Sequence, residues 1–206
     1  MTGWSFLREV YARSIPTVSA VPRPRPRPGQ YTLGFGNDAQ VDEDLPAEFQ
    51  AGPFSEGAVH EALRQIASGV PEEEAARSLT WKDFEGFCAQ LMRACGYTVR
   101  ENIYLSRPRA QIDLVASGPV FTISLDCKHW KRAASYASLE GFARNQVKRS
   151  RLLRKNLHDP KPIVSAILCL SEPMGNFVIG VAVVPLRTLR NFVETVESHS
   201  GLLEKA

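Results

Sequence analysis

Three runs rich in β-branched and aromatic residues, YTVRENIYL, AQIDLVA and VFTISLDCK, follow one another within residues 97–128, with turn residues between them. Such runs predict strands. The third raises a chemical question, because its apolar alternation runs into Asp126, Lys128, His129 and Trp130 in ISLDCKHWKR. A strand heading for a turn often ends in polar residues, so the rest of the chain has to say what the acid is for.

Helical patterns flank the strands. A first helix is predicted in EGAVHEALRQIAS and a second in LTWKDFEGFCAQLMRACGY, where Thr80 with Asp83 resembles a capping box and Gly96 supplies a stop. After the strands come a long helix in SLEGFARNQVKRSRLLRKNL, strands in IVSAILCL and NFVIGVAVV, and a closing helix after Pro185. The order α-β-β-β-α-β-β-α predicts an α/β fold, a mixed β-sheet flanked by helices, over residues 56–206. With 206 residues and 44% hydrophobic content the chain has enough for one full core and an appendage. That appendage is residues 1–55, a short helix followed by VPRPRPRPGQ, whose alternating prolines favour an extended arm or stiff linker.

Composition excludes several classes. No apolar run reaches the roughly 20 residues of a membrane span, which argues against a membrane partner. The four cysteines form no CxxC pair, and Arg8, Glu9 and Arg13 interrupt the only leader-like segment, so a reduced, cytoplasmic protein is expected. The net charge of +3 is unevenly spread: from Lys128 to Lys155 nine basic residues face one acid, Glu140, whereas Asp38, Asp42, Glu43, Asp44 and Glu48 crowd an earlier segment. A polyanion-facing surface and a separate acidic arm follow.

Faces can then be assigned. Glu85 falls within the helical stripe Trp81, Phe84, Cys88, Leu91, Met92 and Cys95, where a carboxylate must meet a cation or keep its head in water. Alternation sets Ile112, Leu114 and Ala116 against Gln111 and Asp113, and Phe121, Ile123, Leu125 and Cys127 against Thr122, Ser124, Asp126 and Lys128. A tight turn at Gly118 and Pro119, with Ser117 opposite Val120, would put Asp113 opposite Ser124 and diagonal to Asp126, at about 7–8 Å. Two carboxylates so placed can share a hard divalent cation such as magnesium, which would neutralise a phosphodiester and activate water. Gln146 lies on the inward stripe Leu139, Phe142, Ala143 and Leu153 of the long helix, either supporting that site or as a buried amide satisfied by backbone.

Glu85 on a helix, Asp113 in QIDLVA, and Asp126 with Lys128 in LDCK together resemble the PD-(D/E)XK nuclease superfamily, most closely Mrr-like restriction endonucleases and archaeal Holliday junction resolvases. The resemblance covers about residues 79–156. It implies a restriction-endonuclease-like fold and a magnesium (Mg2+) site, with manganese (Mn2+) as a substitute, made by Asp113, Asp126, the backbone carbonyl of Cys127 and Glu85. It also implies Lys128 as the residue that positions the attacking water and Gln146 as a support. Ile112 stands where the motif's name has proline, and Asp126 is one methylene shorter than glutamate.

The expected activity is Mg2+-dependent hydrolysis of DNA phosphodiester bonds by an endodeoxyribonuclease. Alternatives are a nuclease fold that binds DNA without cutting, or a protein-interaction module. Arg144, Lys148, Arg151 and Lys155 form a cationic stripe expected beside the site, and Lys131 and Arg132 follow the motif; all six are candidate nucleic-acid contacts. Packing is the favoured role of His129 and Trp130. A homodimer is compatible with a junction-resolving enzyme.

Overall fold

The computed structural model describes residues 55–106, 108–157 and 160–196. The expected arm, apart from Ser55, lies outside the described residues. The elements are α1 (Glu56–Ala67), α2 (Glu72–Ala76), α3 (Trp81–Ala94), β1 (Thr98–Ser106), β2 (Arg109–Ser117), β3 (Thr122–Lys128), α4 (Tyr136–Asn156), β4 (Ile163–Cys169), β5 (Phe177–Val178), β6 (Val181–Pro185), a 3-10 turn (Leu186–Thr188) and α5 (Leu189–Thr195). The strands form one six-stranded sheet in the order β1-β2-β3-β4-β6-β5. It is mixed: β1, β2 and β3 run antiparallel, β3, β4 and β6 parallel, and β5 antiparallel to β6. This is the restriction-endonuclease-like α/β arrangement that the resemblance implies. No helix among the described residues is long and apolar enough to cross a membrane.

Helices cover both sheet faces. Val59, Leu63, Phe84, Phe87, Leu91 and Met92 of α1 and α3, with Leu189 and Phe192 of α5, pack on one face against Leu114, Leu125, Ala166 and Leu168. On the other, α4 lays Leu139, Ala143 and Val147 against Ile167, Cys169 and Val183, and Leu153 against Ile112, Val115 and Ile163. Burial of both faces explains why β4 reads as an uninterrupted apolar run.

The ends of α3 follow from local chemistry. The Thr80 hydroxyl accepts from Asp83 N–H at 3.2 Å and donates to Asp83 Oδ2 at 2.7 Å. Asp83 Oδ1 in turn accepts from Ser55 N–H at 2.7 Å, tying the starts of α1 and α3 together. Burial alone would raise the Asp83 carboxyl, but these hydrogen bonds outweigh it and hold the group below its ordinary value. At the other end Gly96, at φ 90°, completes a Schellman motif: Gly96 N–H bonds Arg93 O and Tyr97 N–H bonds Met92 O.

Four sequence expectations are corrected. The β2–β3 turn is two residues longer than expected: Ser117 pairs with Thr122, not Val120, because Gly118 N–H closes a four-residue turn onto Phe121 O. Ile112 does not share a face with Leu114 and Ala116. β1 and β2 turn over together where Asn102, at φ 52°, lies across from Asp113, so Ile103, Leu105 and Ile112 pack toward α4 while Val99, Leu114 and Ala116 pack toward α3. NFVIGVAVV is not one strand but the β5–β6 hairpin, reversed at Ile179 and Gly180, both with positive φ as a two-residue I′ turn requires. Trp81, placed in the apolar stripe of α3, is 58% exposed, with the Lys82 ammonium 5.5 Å from its ring centre.

Candidate active site

β2 and β3 pair from Ser117↔Thr122 to Leu114↔Leu125. One step further along that register Asp113 faces Asp126, and there a side chain replaces the ladder: Cys127 N–H donates to Asp113 Oδ2 at 2.8 Å. The longer turn keeps the even parity of the loop but shifts the register, so Ser124 pairs with Val115 and the expected placing of Asp113 opposite Ser124 does not hold. Asp126 belongs to the α4 side of the sheet and is 2% exposed. Its Oδ2 lies 2.8 Å from Lys128 Nζ and its Oδ1 2.8 Å from Arg149 Nη1. Glu85 approaches from α3, 8% exposed, and makes no ion pair among the described residues. Neither expectation for that glutamate describes it, since among the described residues its carboxyl is neither ion-paired nor left in water.

The electrostatics record crowding. Burial pushes the Glu85 carboxyl up to about 8, and the Asp113 charge adds to the rise. Burial first and the neighbouring Asp126 second raise Asp113, against the Cys127 hydrogen bond, Lys128 and Arg149, to about 6. Tyr104 feels the same acids: burial first, then Glu85 and Asp113, raise its phenol. Three carboxylates therefore share one small region with two cations.

A stability slope follows from those raised values. In the unfolded chain Glu85 loses its proton near 4.5, whereas the folded protein keeps it to about 8, so the fold binds the extra proton between those limits. Its contribution is complete below 4.5 and is lost as pH rises through about 8; Asp113 acts alike between 3.8 and about 6. In chelator, the melting temperature is expected to fall from about pH 5 to about pH 8, and Glu85→Gln to flatten the upper part of that fall. A flat profile in the unmodified protein would show that the acids do not crowd one another in solution.

Oxygen donors of this kind, with mutual repulsion only partly relieved by Lys128 and Arg149, suit a hard divalent cation by their chemistry. Among the described residues, no three or more His, Cys, Asp or Glu side chains are already gathered as a metal-holding group. Asp126 is turned to Lys128 and Arg149, so the carboxylates that would hold a cation stand near one another without converging.

The remaining expected residues fall as follows. Gln146 is fully buried; its Nε2 donates to Ser124 O at 2.8 Å and lies 3.1 Å from Ser124 Oγ, two residues before Asp126. Its Oε1 is buried without a hydrogen-bond partner among the described residues. Backbone thus satisfies its nitrogen, as one of the two readings of that amide expects. His129 places a ring nitrogen 3.0 Å from Ala76 O and packs on Phe84, and Trp130 packs on Phe142, so packing accounts for both. Lys131 and Arg132 are exposed on the loop after β3. Arg144, Lys148, Arg151 and Lys155 are exposed too, but on the side of α4 turned away from its buried positions Leu139, Ala143, Gln146 and Leu153. Arg144 is bound to Glu140 at 2.6 Å. The helix cation that reaches the acids is Arg149, which the sequence pattern did not single out.

Residues 76–151 match the family model Mrr_cat, described as a restriction endonuclease. The match holds the helix with Glu85, both strand acids, Lys128, Gln146 and Arg149. No curated protein and no solved structure matched the chain.

Proposed function

We propose that residues 76–151, a restriction endonuclease domain of the PD-(D/E)XK class, form the catalytic core of a divalent-cation-dependent endodeoxyribonuclease. The observation that carries this reading is the Asp113 carboxylate bound to Cys127 N–H at 2.8 Å, next to Asp126 along β3, with Lys128 2.8 Å from that second acid. Asp113, Asp126, the Cys127 carbonyl and Glu85 would hold Mg2+ or Mn2+. Bound there, the ion would supply charge neutralisation for the phosphodiester and a more acidic water.

The protein's own groups do the rest. Lys128 lies 2.8 Å from Asp126 Oδ2, where its ammonium can donate to the attacking water or to a phosphate oxygen and so fix the line of attack. Hydrolysis forms one phosphorus–oxygen bond from water and breaks one ester bond. Holding a cation would require Glu85 to release the proton that it otherwise keeps up to about 8. Lys131 and Arg132 on the adjoining loop lie where flanking phosphates would pass, and the outer stripe of α4 would serve a strand lying further from the chemistry.

A second reading, a nuclease fold that binds DNA without cutting, draws on one observation: both oxygens of Asp126 are already held by cations. Incubation with supercoiled plasmid and with a four-way junction separates the two. Cutting with Mg2+ or Mn2+ and none in chelator is the expected result. Tight binding with no cutting in either metal would overturn it in favour of the binding protein.

A further inference from the structure

Arg149 is an unusual counter-ion. It stands on α4 between two residues pinned to the sheet: Gln146 bonds Ser124 of β3, and Ser150 Oγ accepts from Ser165 Oγ of β4 at 2.8 Å. Its backbone is therefore fixed over the acids. Its head is not enclosed, because the side chain is 31% exposed while the Asp126 carboxylate it holds is 3% exposed. A guanidinium does not lose its charge at any ordinary pH, unlike an ammonium in a low-dielectric site. Whatever cation comes to Asp126 must displace Arg149 from Oδ1 or sit against a permanent positive charge.

The same group has a second use once displaced. A planar fork of N–H donors matches the oxygens of a phosphodiester, and its partial exposure leaves it a path outward. We propose that Arg149 is a positioning residue that occupies Asp126 in the metal-free protein and passes to a phosphate of bound DNA when a divalent cation takes its place. The site then binds metal weakly without DNA and strongly with it, which restrains cleavage chemistry to the moment when substrate is present. This rests on the metal-dependent reading of the same acids.

The test is calorimetric titration of Mn2+ into the full chain without DNA, for the unmodified protein, Arg149→Met and Arg149→Lys, each first checked for a cooperative melt. Removing the competing charge is expected to tighten Mn2+ binding by about tenfold in Arg149→Met and to leave Arg149→Lys near the unmodified protein. In a parallel anisotropy measurement on a short duplex, the gain in DNA affinity that Mn2+ gives the unmodified protein is expected to be lost in Arg149→Met. Binding of Mn2+ by Arg149→Met alone would support the proposal most directly. Unchanged or weaker Mn2+ binding in Arg149→Met, beside clear binding by the unmodified protein, would overturn it and leave the nuclease reading standing. No Mn2+ binding by Arg149→Met would likewise overturn the proposal, and plasmid cutting would then decide the nuclease reading by itself. Should Arg149→Met fail to fold, Arg149→Gln, which keeps a hydrogen bond to Asp126 without the charge, is expected to show the same tightening.

Discussion

Asp126→Asn is expected to reduce metal-dependent DNA cleavage by roughly a thousandfold or more, and to lower the melting temperature in chelator by about 5–10 °C. Asparagine has the shape of aspartate, so the loss reports charge rather than packing. In the metal-free protein the carboxylate is the shared anion of Lys128 and Arg149, each 2.8 Å away, and is itself 2% exposed. Taking one partner from a buried pair costs about 3–5 kcal/mol. Here both cations can turn to water, and Asp113 is relieved of a repelling neighbour, so about 2–3 kcal/mol is the better figure. Plasmid nicking and a thermal melt measure the two effects. A variant that cuts at the unmodified rate would remove Asp126 from the reaction. An unchanged melt would show that the two ion pairs hold nothing together. The destabilisation does not argue against a metal role, since the cations that Asp126 holds are the ones a metal would replace.

How the acids came to be legible is a matter of period. Side chains in a strand alternate with a period of two, so regular strands joined by any even loop would put Asp113 and Asp126 on one side. The four-residue turn kept that parity although two of its residues, Val120 and Phe121, read as strand. The turn length itself was hidden for the same reason. The overturn of β1 and β2 was hidden as well: only Asn102, a residue that tolerates positive φ, marks the place where both strands change faces. Without it Ile112 would lie with Leu114, and the turnover shows that Asp113 stands where the alternation breaks.

Helical residues were readable in proportion to their distance from an edge. The interior of the α3 stripe, Phe84, Cys88, Leu91 and Met92, is buried as its spacing predicts. Trp81 occupies the first position of the helix, where half the surrounding turn is missing and periodicity no longer fixes burial. Arg149 is masked in the sequence by the more regular cationic repeat Arg144, Lys148, Arg151 and Lys155. A usable signal existed: Arg149 follows Gln146 by three residues, so it stands on the flank of the inward face, within reach of the sheet. Ile179 is the opposite case. A β-branched residue in the left-handed region contradicts every local preference, and Gly180 alone hinted at the hairpin.

Lys128→Met is expected to slow cleavage by about a hundred- to ten-thousandfold while moving the melting temperature in chelator near neutral pH by only a few degrees. The methionine chain keeps the reach and apolar body of the lysine, whose ammonium lies 5.3 Å from the centre of the Phe142 ring, so packing on α4 survives. Arg149 still neutralises Asp126 Oδ1, which makes any purely structural charge on Lys128 partly redundant. Activity is not redundant in that way, because Arg149 approaches the other oxygen from α4 and cannot also stand where Lys128 meets Oδ2. A lysine that only balances charge would therefore be dispensable, and cleavage by Lys128→Met at near the unmodified rate would assign it that lesser role. One further readout separates the two. Lys128 lowers the proton affinity of both Glu85 and Asp113, so its loss should raise both and steepen the fall of stability with pH in chelator. A steeper slope with intact cleavage would mark Lys128 as an electrostatic brace; a steeper slope with cleavage lost is the pattern expected of a group that holds the water and quiets the acids at once.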